Sequence, residues 1–209
     1  MTTAASLPLR ERKKAETWAA LHEAAASLAL QHGVDQTTVE AIASKAGVSP
    51  RTFFNYFQVK EDAILGLREP VLDEEHLSRI STTADDVVGQ VSRLLVTVAG
   101  TAMGGTDRAR RRQLIARYPH LGRRHMDYMV TAESLVCQGI SGVLARDPAW
   151  AAGGEGFGLE ESARMLVMIA GVPIRFDLTS TDFDPVAGIS TETLGPSLAL
   201  LHDLLRKVS

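Results

Sequence analysis

Residues 51–60 hold Arg51, Thr52, Phe54, Asn55, Tyr56 and Lys60, a set rich in groups that recognise nucleic acid. A guanidinium takes the O6/N7 edge of guanine with two parallel hydrogen bonds, and a phenyl ring packs on a thymine methyl or a sugar. Arg51 and Phe54 suit those two tasks. Tyr56 and Lys60 stand where a phenol and an ammonium reach phosphates, and Thr38, with the free N–H groups that follow it, can hold another. Each residue also has an ordinary use, the aromatics in a core and the cations on a solvated surface. Their combination at this spacing is what favours a groove-reading role.

Such side chains must be carried on short, steeply crossed helices, and the local punctuation supplies them. A first helix is expected over Arg10–Gln31, with Trp18, Leu21, Ala25 and Leu28 on one face and Gly33 as its stop. Thr37 and Glu40 have capping-box spacing for a second helix, striped by Val39, Ile42, Ala43 and Ala46 and ended at Gly47. Ser49 then offers an N-cap and Pro50 the N1 position of a third helix reaching about Phe57. A Gly47-Val48-Ser49 turn is too tight for antiparallel packing, so the pair is read as a helix-turn-helix whose second member enters the major groove. Phe53 and Phe57, four apart, anchor that member and leave Arg51, Thr52, Phe54 and Asn55 facing sideways or outward.

The stretch from Thr37-Thr38-Val39-Glu40-Ala41-Ile42-Ala43 through Ala46-Gly47-Val48-Ser49-Pro50-Arg51-Thr52-Phe53-Phe54-Asn55-Tyr56-Phe57 to Lys60-Glu61-Asp62 resembles the DNA-binding signature of TetR/AcrR-family transcriptional regulators. The resemblance covers about residues 10–66. It implies an all-α homodimer with an N-terminal three-helix DNA-binding domain and a larger C-terminal domain holding a small-molecule pocket and a dimer-forming helix pair. It also implies repression that ends when an effector binds. Ser49, Pro50, Arg51 and Phe54 match family positions that meet bases; Thr38, Thr52, Asn55, Tyr56 and Lys60 match positions that meet phosphates. Phe54 stands where tyrosine is frequent, exchanging a hydroxyl–phosphate bond for apolar contact. Val59 stands where Ser, Asn or Asp usually caps the fourth helix, so Lys60 is expected to be less firmly held.

No period-two alternation appears along the chain, and 3.6-residue patterns recur, so the fold class is all-α with about nine helices. The division expected is a disordered arm over 1–9, a helix-turn-helix domain over 10–66, and an effector-binding and dimerisation domain over 67–209. Met103, Met126, Tyr128, Met129, Trp150, Phe157, Met165, Met168 and Phe176 are the pocket candidates, since methionine and aromatics suit irregular apolar cavities. They point to a hydrophobic or amphipathic effector. The two last helices, 159–177 (interrupted at Pro173) and 191–206, are apolar beyond one core face. Leu166, Ile169, Leu194, Leu198, Leu201 and Leu205 are therefore assigned to a four-helix dimer interface.

Arg108, Arg110, Arg111, Arg112, Arg117, Arg123 and Arg124 form the densest basic stretch. It can hold an anionic effector or more DNA, but reads first as a solvated face balanced by acids. His120 and His125 have the wrong spacing for one helical face, so no metal site is expected there. Gly154-Glu155-Gly156-Phe157-Gly158 imitates a phosphate loop without a preceding strand and reads as a lid or linker.

Composition sets the outer bounds. Hydrophobic residues make up 45% of 209 and charged ones 22%, an ordinary globular balance. A lone cysteine, Cys137, excludes an intrachain disulfide. No basic and apolar leader or membrane-length apolar run is present, so a cytoplasmic, nucleoid-associated location is expected and no membrane partner. The net charge is −3, yet residues 1–60 hold seven Lys/Arg against five Asp/Glu, while the remainder holds fifteen against twenty. A basic front on an acidic body fits a nucleic-acid module. The reading is a homodimeric repressor of a pseudopalindromic operator, without metal, cofactor or catalytic residues. The alternatives are an activator or ligand-independent regulator with the same DNA head, or an all-α carrier or enzyme using the C-terminal cavity.

Overall fold

The computed structural model describes residues 8–84, 86–103, 108–152, 156–184 and 188–208. All regular structure among them is helical: α1 Leu9–His32, α2 Val39–Lys45, α3 Pro50–Phe54, α4 Lys60–Leu65, α5 Glu74–Ser78, α6 Val87–Ala102, α7 Arg108–Arg117, α8 Pro119–Leu144, α9 Pro148–Ala151, α10 Leu159–Leu178 and α11 Gly195–Val208. The all-α expectation holds. Eleven helices stand where about nine were expected, because two single-turn helices, α5 and α9, carry no apolar stripe long enough to register. What makes each of them is a cap. Asp73 accepts the His76 N–H and Asp147 accepts the Ala149 N–H, each at 2.9 Å. The third helix is shorter than expected, closing at Phe54 with Asn55 as its C-cap.

The chain divides into two compact units. One takes the described residues of 1–68 and also those of 105–125, which a linear division after residue 66 would assign to the rest. Its core is the expected face of α1 (Trp18, Leu21, Ala25) with Ile42, Phe53, Phe57, Ile64, Leu65, Leu114 and Leu121, all buried. Capping of α2 differs from expectation by one residue. Thr38 is the N-cap and its hydroxyl accepts the Ala41 N–H at 3.1 Å. Thr37 is buried and donates its hydroxyl to the Gly33 carbonyl at 2.8 Å, so the Thr37–Glu40 capping box does not form. Burial decides between the two threonines, since a hydroxyl sealed inside the unit must find its partner there.

The other unit packs α6 against the C-terminal part of α8 and against α10, with Val91, Leu94, Val98, Val136, Ile140, Leu166 and Val167 in one cluster. Pro173 does not interrupt α10, which runs through it. Proline lacks the N–H that the Ile169 carbonyl would otherwise accept. At the neighbouring carbonyl, Ala170, the buried Ser92 hydroxyl of α6 donates at 2.8 Å and ties the two helices together at the defect. No helix among the described residues is long and apolar enough to cross a membrane.

Candidate nucleic-acid interface

The turn between α2 and α3 is closed by the Val48 N–H donating to the Ala43 carbonyl at 2.9 Å. Gly47 takes φ 71°, a conformation that L side chains avoid, which is why a glycine makes this turn. Ser49 then caps α3: its Oγ accepts the Thr52 N–H at 3.1 Å and lies 2.9 Å from the Thr52 hydroxyl. Below the helix, Phe53 and Phe57 are buried with ring centroids 5.7 Å apart, and Trp18 of α1 meets Phe57 at 5.5 Å. These rings fix the depth and rotation of a five-residue helix that could not persist alone.

The opposite face is left outward. Arg51 and Asn55 are exposed, Thr52 and Tyr56 are half-buried, and Pro50 sits exposed at the first helical position. Phe54 is 59% exposed, standing edge-on to Phe53 at 5.4 Å. A large apolar ring held rigidly in solvent is a contact surface awaiting a partner. The Thr38 hydroxyl uses a lone pair in capping and keeps its proton for donation. Lys60 departs from expectation. Val59 provides no side-chain cap to α4, as its type foretold, yet Lys60 is firmly placed because its Nζ donates to the Val34 carbonyl at 2.8 Å. An ammonium has three donors, so two stay available for a phosphate.

The arginine stretch is where the sequence reading fails most clearly. Rather than forming one solvated face, four of these side chains reach across the first unit to α1 and α4, two of them to acids. Arg124 holds Asp62 with two parallel bonds, Nε and an Nη at 2.7 and 2.9 Å, and Asp62 is buried. Arg111, buried as well, donates Nε to the Leu65 carbonyl in the last turn of α4 at 2.7 Å. Arg110 pairs with Glu23 at 2.7 Å, and Arg117 reaches the Leu30 carbonyl at 3.3 Å. Arg112 and Arg123 remain exposed. Beside Arg111 lies His125, whose buried Nδ1 has no hydrogen-bond partner; burial first, and the Arg111 charge second, hold its pKa below the usual imidazole value. A signal for this existed in Asp62, an acid directly before the apolar Ala63-Ile64-Leu65 run.

In the second unit the nine pocket candidates divide between surface and interior. Met126, Phe157, Met165, Met168 and Phe176 are all exposed, Met103, Met129 and Trp150 are half-buried, and Tyr128 is buried. A hollow of about 580 Å³ does open, but its described lining is Cys137, Gln138, Ser141, Glu160, Glu161 and Arg164, none of them among the nine candidates. Burial pushes the Cys137 thiol up from its usual pKa, with Arg164 opposing. Period counting cannot separate the two sides of a helix that is apolar on several faces, and here it chose the outer one. The six residues assigned to the dimer interface divide in the same way. Leu166, Leu194 and Leu198 are buried inside the protomer, Ile169 and Leu201 are half-buried, and Leu205 is exposed. The outward apolar rows are Met165, Met168, Val172 and Phe176 on α10, and Leu200, Leu204, Leu205 and Val208 on α11. Gly154 and Glu155 of the glycine-rich segment lie outside the described residues; of the rest, the Gly158 N–H donates to the Glu161 carboxylate at 2.6 Å to start α10.

Comparison with known proteins gives a family match within the first unit. Residues 21–65 match the family model of bacterial regulatory proteins, tetR family. The HTH-type transcriptional regulator TcmR of Streptomyces glaucescens is 46% identical over 57 residues, which are 27% of this chain and 25% of that protein. The chain thus spans about a quarter of the length of this curated relative. Among solved structures, Salmonella enterica GusR aligns over 98% of this chain and 100% of its own with 16% identity and a TM-score of 0.43. The multidrug binding protein EbrR, complexed with imidazole, aligns over 96% of each chain with 21% identity and a TM-score of 0.32. The likeness to the tetR family of bacterial regulatory proteins therefore rests on residues 21–65, the segment that carries the helix-turn-helix.

Proposed function

We propose that the protein is a homodimeric transcriptional repressor that reads a pseudopalindromic operator with α3 and leaves it when a small molecule binds the C-terminal unit. One observation carries this reading: a rigid short helix, pinned from beneath by Phe53 and Phe57, that turns Arg51, Phe54 and Asn55 outward together. Arg51 and Phe54, with Ser49 and Pro50, take base edges and the thymine methyl. Thr38, Thr52, Asn55, Tyr56 and Lys60 hold phosphates and set the register. Two such helices must lie about one duplex turn apart, roughly 34–36 Å, to read successive grooves.

Dimerisation uses the outward rows of α10 and α11, since four exposed apolar side chains on each helix are a poor surface for a lone protomer. Release follows if the effector prefers a conformer with the wrong spacing between heads, because a ligand with equal affinity for both conformers shifts nothing. Of the two effector classes that composition suggests, hydrophobic and amphipathic, the hollow lined by Cys137, Gln138, Ser141, Glu160, Glu161 and Arg164 favours the amphipathic one.

The test is Arg51→Ala in a titration against a duplex selected from the source organism's DNA and against a scrambled duplex. Loss of one bidentate contact costs about 1–3 kcal/mol per half-site on the selected duplex alone. Equal weakening on both duplexes removes Arg51 from base reading, and a wild-type protein that binds neither removes the proposal.

A further inference from the structure

The hollow of about 580 Å³ in the second unit falls within the size range of small-molecule sites and has two matched walls. Cys137, Gln138 and Ser141 line it from α8, and Glu160, Glu161 and Arg164 from α10. Each trio has i, i+1, i+4 spacing, which gathers three side chains on one side of a helix. Every one of the six carries a group able to act on a ligand by charge, hydrogen bond or sulfur contact.

The charges on the α10 wall are left unspent. Glu160 and Arg164 are four residues apart with the acid N-terminal, the order that favours an ion pair along a helix. They form no such pair, and neither side chain has a hydrogen-bond partner among the described residues. Both instead stand close enough to the Cys137 thiol to act on it with opposite signs, Arg164 favouring the thiolate and Glu160 opposing it. Glu161 differs, since its carboxylate accepts the Gly158 N–H at 2.6 Å and serves the start of α10. Across the hollow, the Gln138 amide and the Ser141 hydroxyl are also without partners among the described residues.

Between these polar groups lies an apolar footing. Cys137 is half-buried and packs against the cluster formed by α6, α8 and α10. A free acid and a free cation one helical turn apart, about 6 Å of rise, thus border a soft, weakly polar sulfur. A simple anion in this space meets Glu160, a simple cation meets Arg164, and a hydrocarbon leaves both charges facing nothing. A molecule with both signs on a short apolar stem gives each charge its complement. The guanidinium takes a carboxylate with two parallel bonds. An ammonium donates to Glu160 and keeps protons for the Ser141 oxygen or the Gln138 carbonyl.

We propose that this hollow binds a small zwitterion, a carboxylate and an ammonium joined by a short run of methylenes, with Arg164 on the carboxylate and Glu160 on the ammonium. The proposal gives a chemical class to the small molecule invoked above. It rests on that reading for any effect on DNA, but not for binding itself.

The experiment follows alkylation of Cys137, the chain's single cysteine, by iodoacetamide in the presence of graded probes. The zwitterions are β-alanine, γ-aminobutyrate and ε-aminocaproate, each set against the acid and the amine of the same stem. At least one zwitterion is expected to slow alkylation at a concentration about tenfold below that needed by either single-charge relative, the worth of one charge-assisted bond. Glu160→Gln brings that zwitterion to the level of the acid, and Arg164→Gln to the level of the amine. Both positions are exposed, so each variant keeps the unfolding temperature of wild type. Protection by none of the zwitterions overturns the proposal. So does equal protection by the single-charge relatives, or a preference that survives both substitutions. DNA affinity for a duplex selected by the wild-type protein is measured separately. Protection with unchanged DNA affinity keeps the zwitterion site and removes its effector role, whereas lack of protection leaves the α3 reading standing.

Discussion

Arg124→Ala tests whether the arginine stretch is structural cement for the DNA-binding unit. The substitution removes both donors from Asp62, whose side chain is 2% exposed, and leaves a carboxylate sealed without a counter-charge. Breaking a buried pair from one side typically costs about 3–5 kcal/mol, most of it the penalty of the abandoned charge. The Arg124 side chain is 33% exposed, so water reaches part of the site, and about 2–4 kcal/mol is the fitting range here. Asp62→Asn abandons the opposite partner. The guanidinium it leaves is already partly hydrated and an amide oxygen can still accept one bond, so its cost is lower, about 1–2 kcal/mol. The asymmetry between the two single changes is the signature. It is read by urea unfolding followed through Trp18 fluorescence in a Trp150→Phe background, which reports the first unit alone. Arg124→Lys recovers only part of the loss, since an ammonium cannot copy the two parallel bonds. If Arg124→Ala costs no more than Asp62→Asn, the abandoned charge is not buried in the way the geometry requires and the reasoning fails.

Thr38→Val removes the α2 cap and is expected to cost about 0.5–2 kcal/mol of stability, while Thr38→Ser keeps most of it; thermal unfolding separates the two. Met168→Arg, on the outward row of α10, should leave the protomer folded and give a monomer in sedimentation, whereas Leu198→Arg, at a buried position, should lower the unfolding temperature before it changes association. His125 supplies a pH dependence of known sign. Its folded pKa lies below its unfolded value of about 6.5, so the unfolded chain binds the proton more readily. Stability is therefore undiminished above that value and falls as the pH drops below it towards the folded pKa. His125→Leu should flatten this part of the stability profile, and an unaltered profile would assign the pH dependence to other groups.

The helix-turn-helix was legible because its determinants are local. Gly47, Ser49 and Pro50 act within a few residues of themselves, and Phe53 with Phe57 reveal an inner side by spacing alone. Thr38 over Thr37 was not legible, since both offer the same hydroxyl at the same turn and only burial of Thr37 decides. The arginine contacts span 46 and 62 residues of chain, Arg111 of α7 to Leu65 and Arg124 of α8 to Asp62, and no periodicity within either helix encodes a partner so distant. What marks them in retrospect is one acid, Asp62, next to an apolar run.

The second unit shows a different limit, one of degeneracy. Along α10 the residues Leu166, Val167 and Ala170 point into the cluster with α6, while Met165, Met168, Val172 and Phe176 point out, and both sets are apolar. A helix of this kind has two hydrophobic sides, and its sequence states only that both must be covered. Leu166, Val167 and Ala170 went inside, where close packing against α6 rewards fixed shapes. The methionines and Phe176 went outside, and flexible thioethers suit a surface that must fit a second body rather than a fixed core. Under the dimer proposed above, the residues that composition nominates for a ligand cavity are the ones that form the association face, so the choice between pocket and interface turns on which way each side chain of α10 faces.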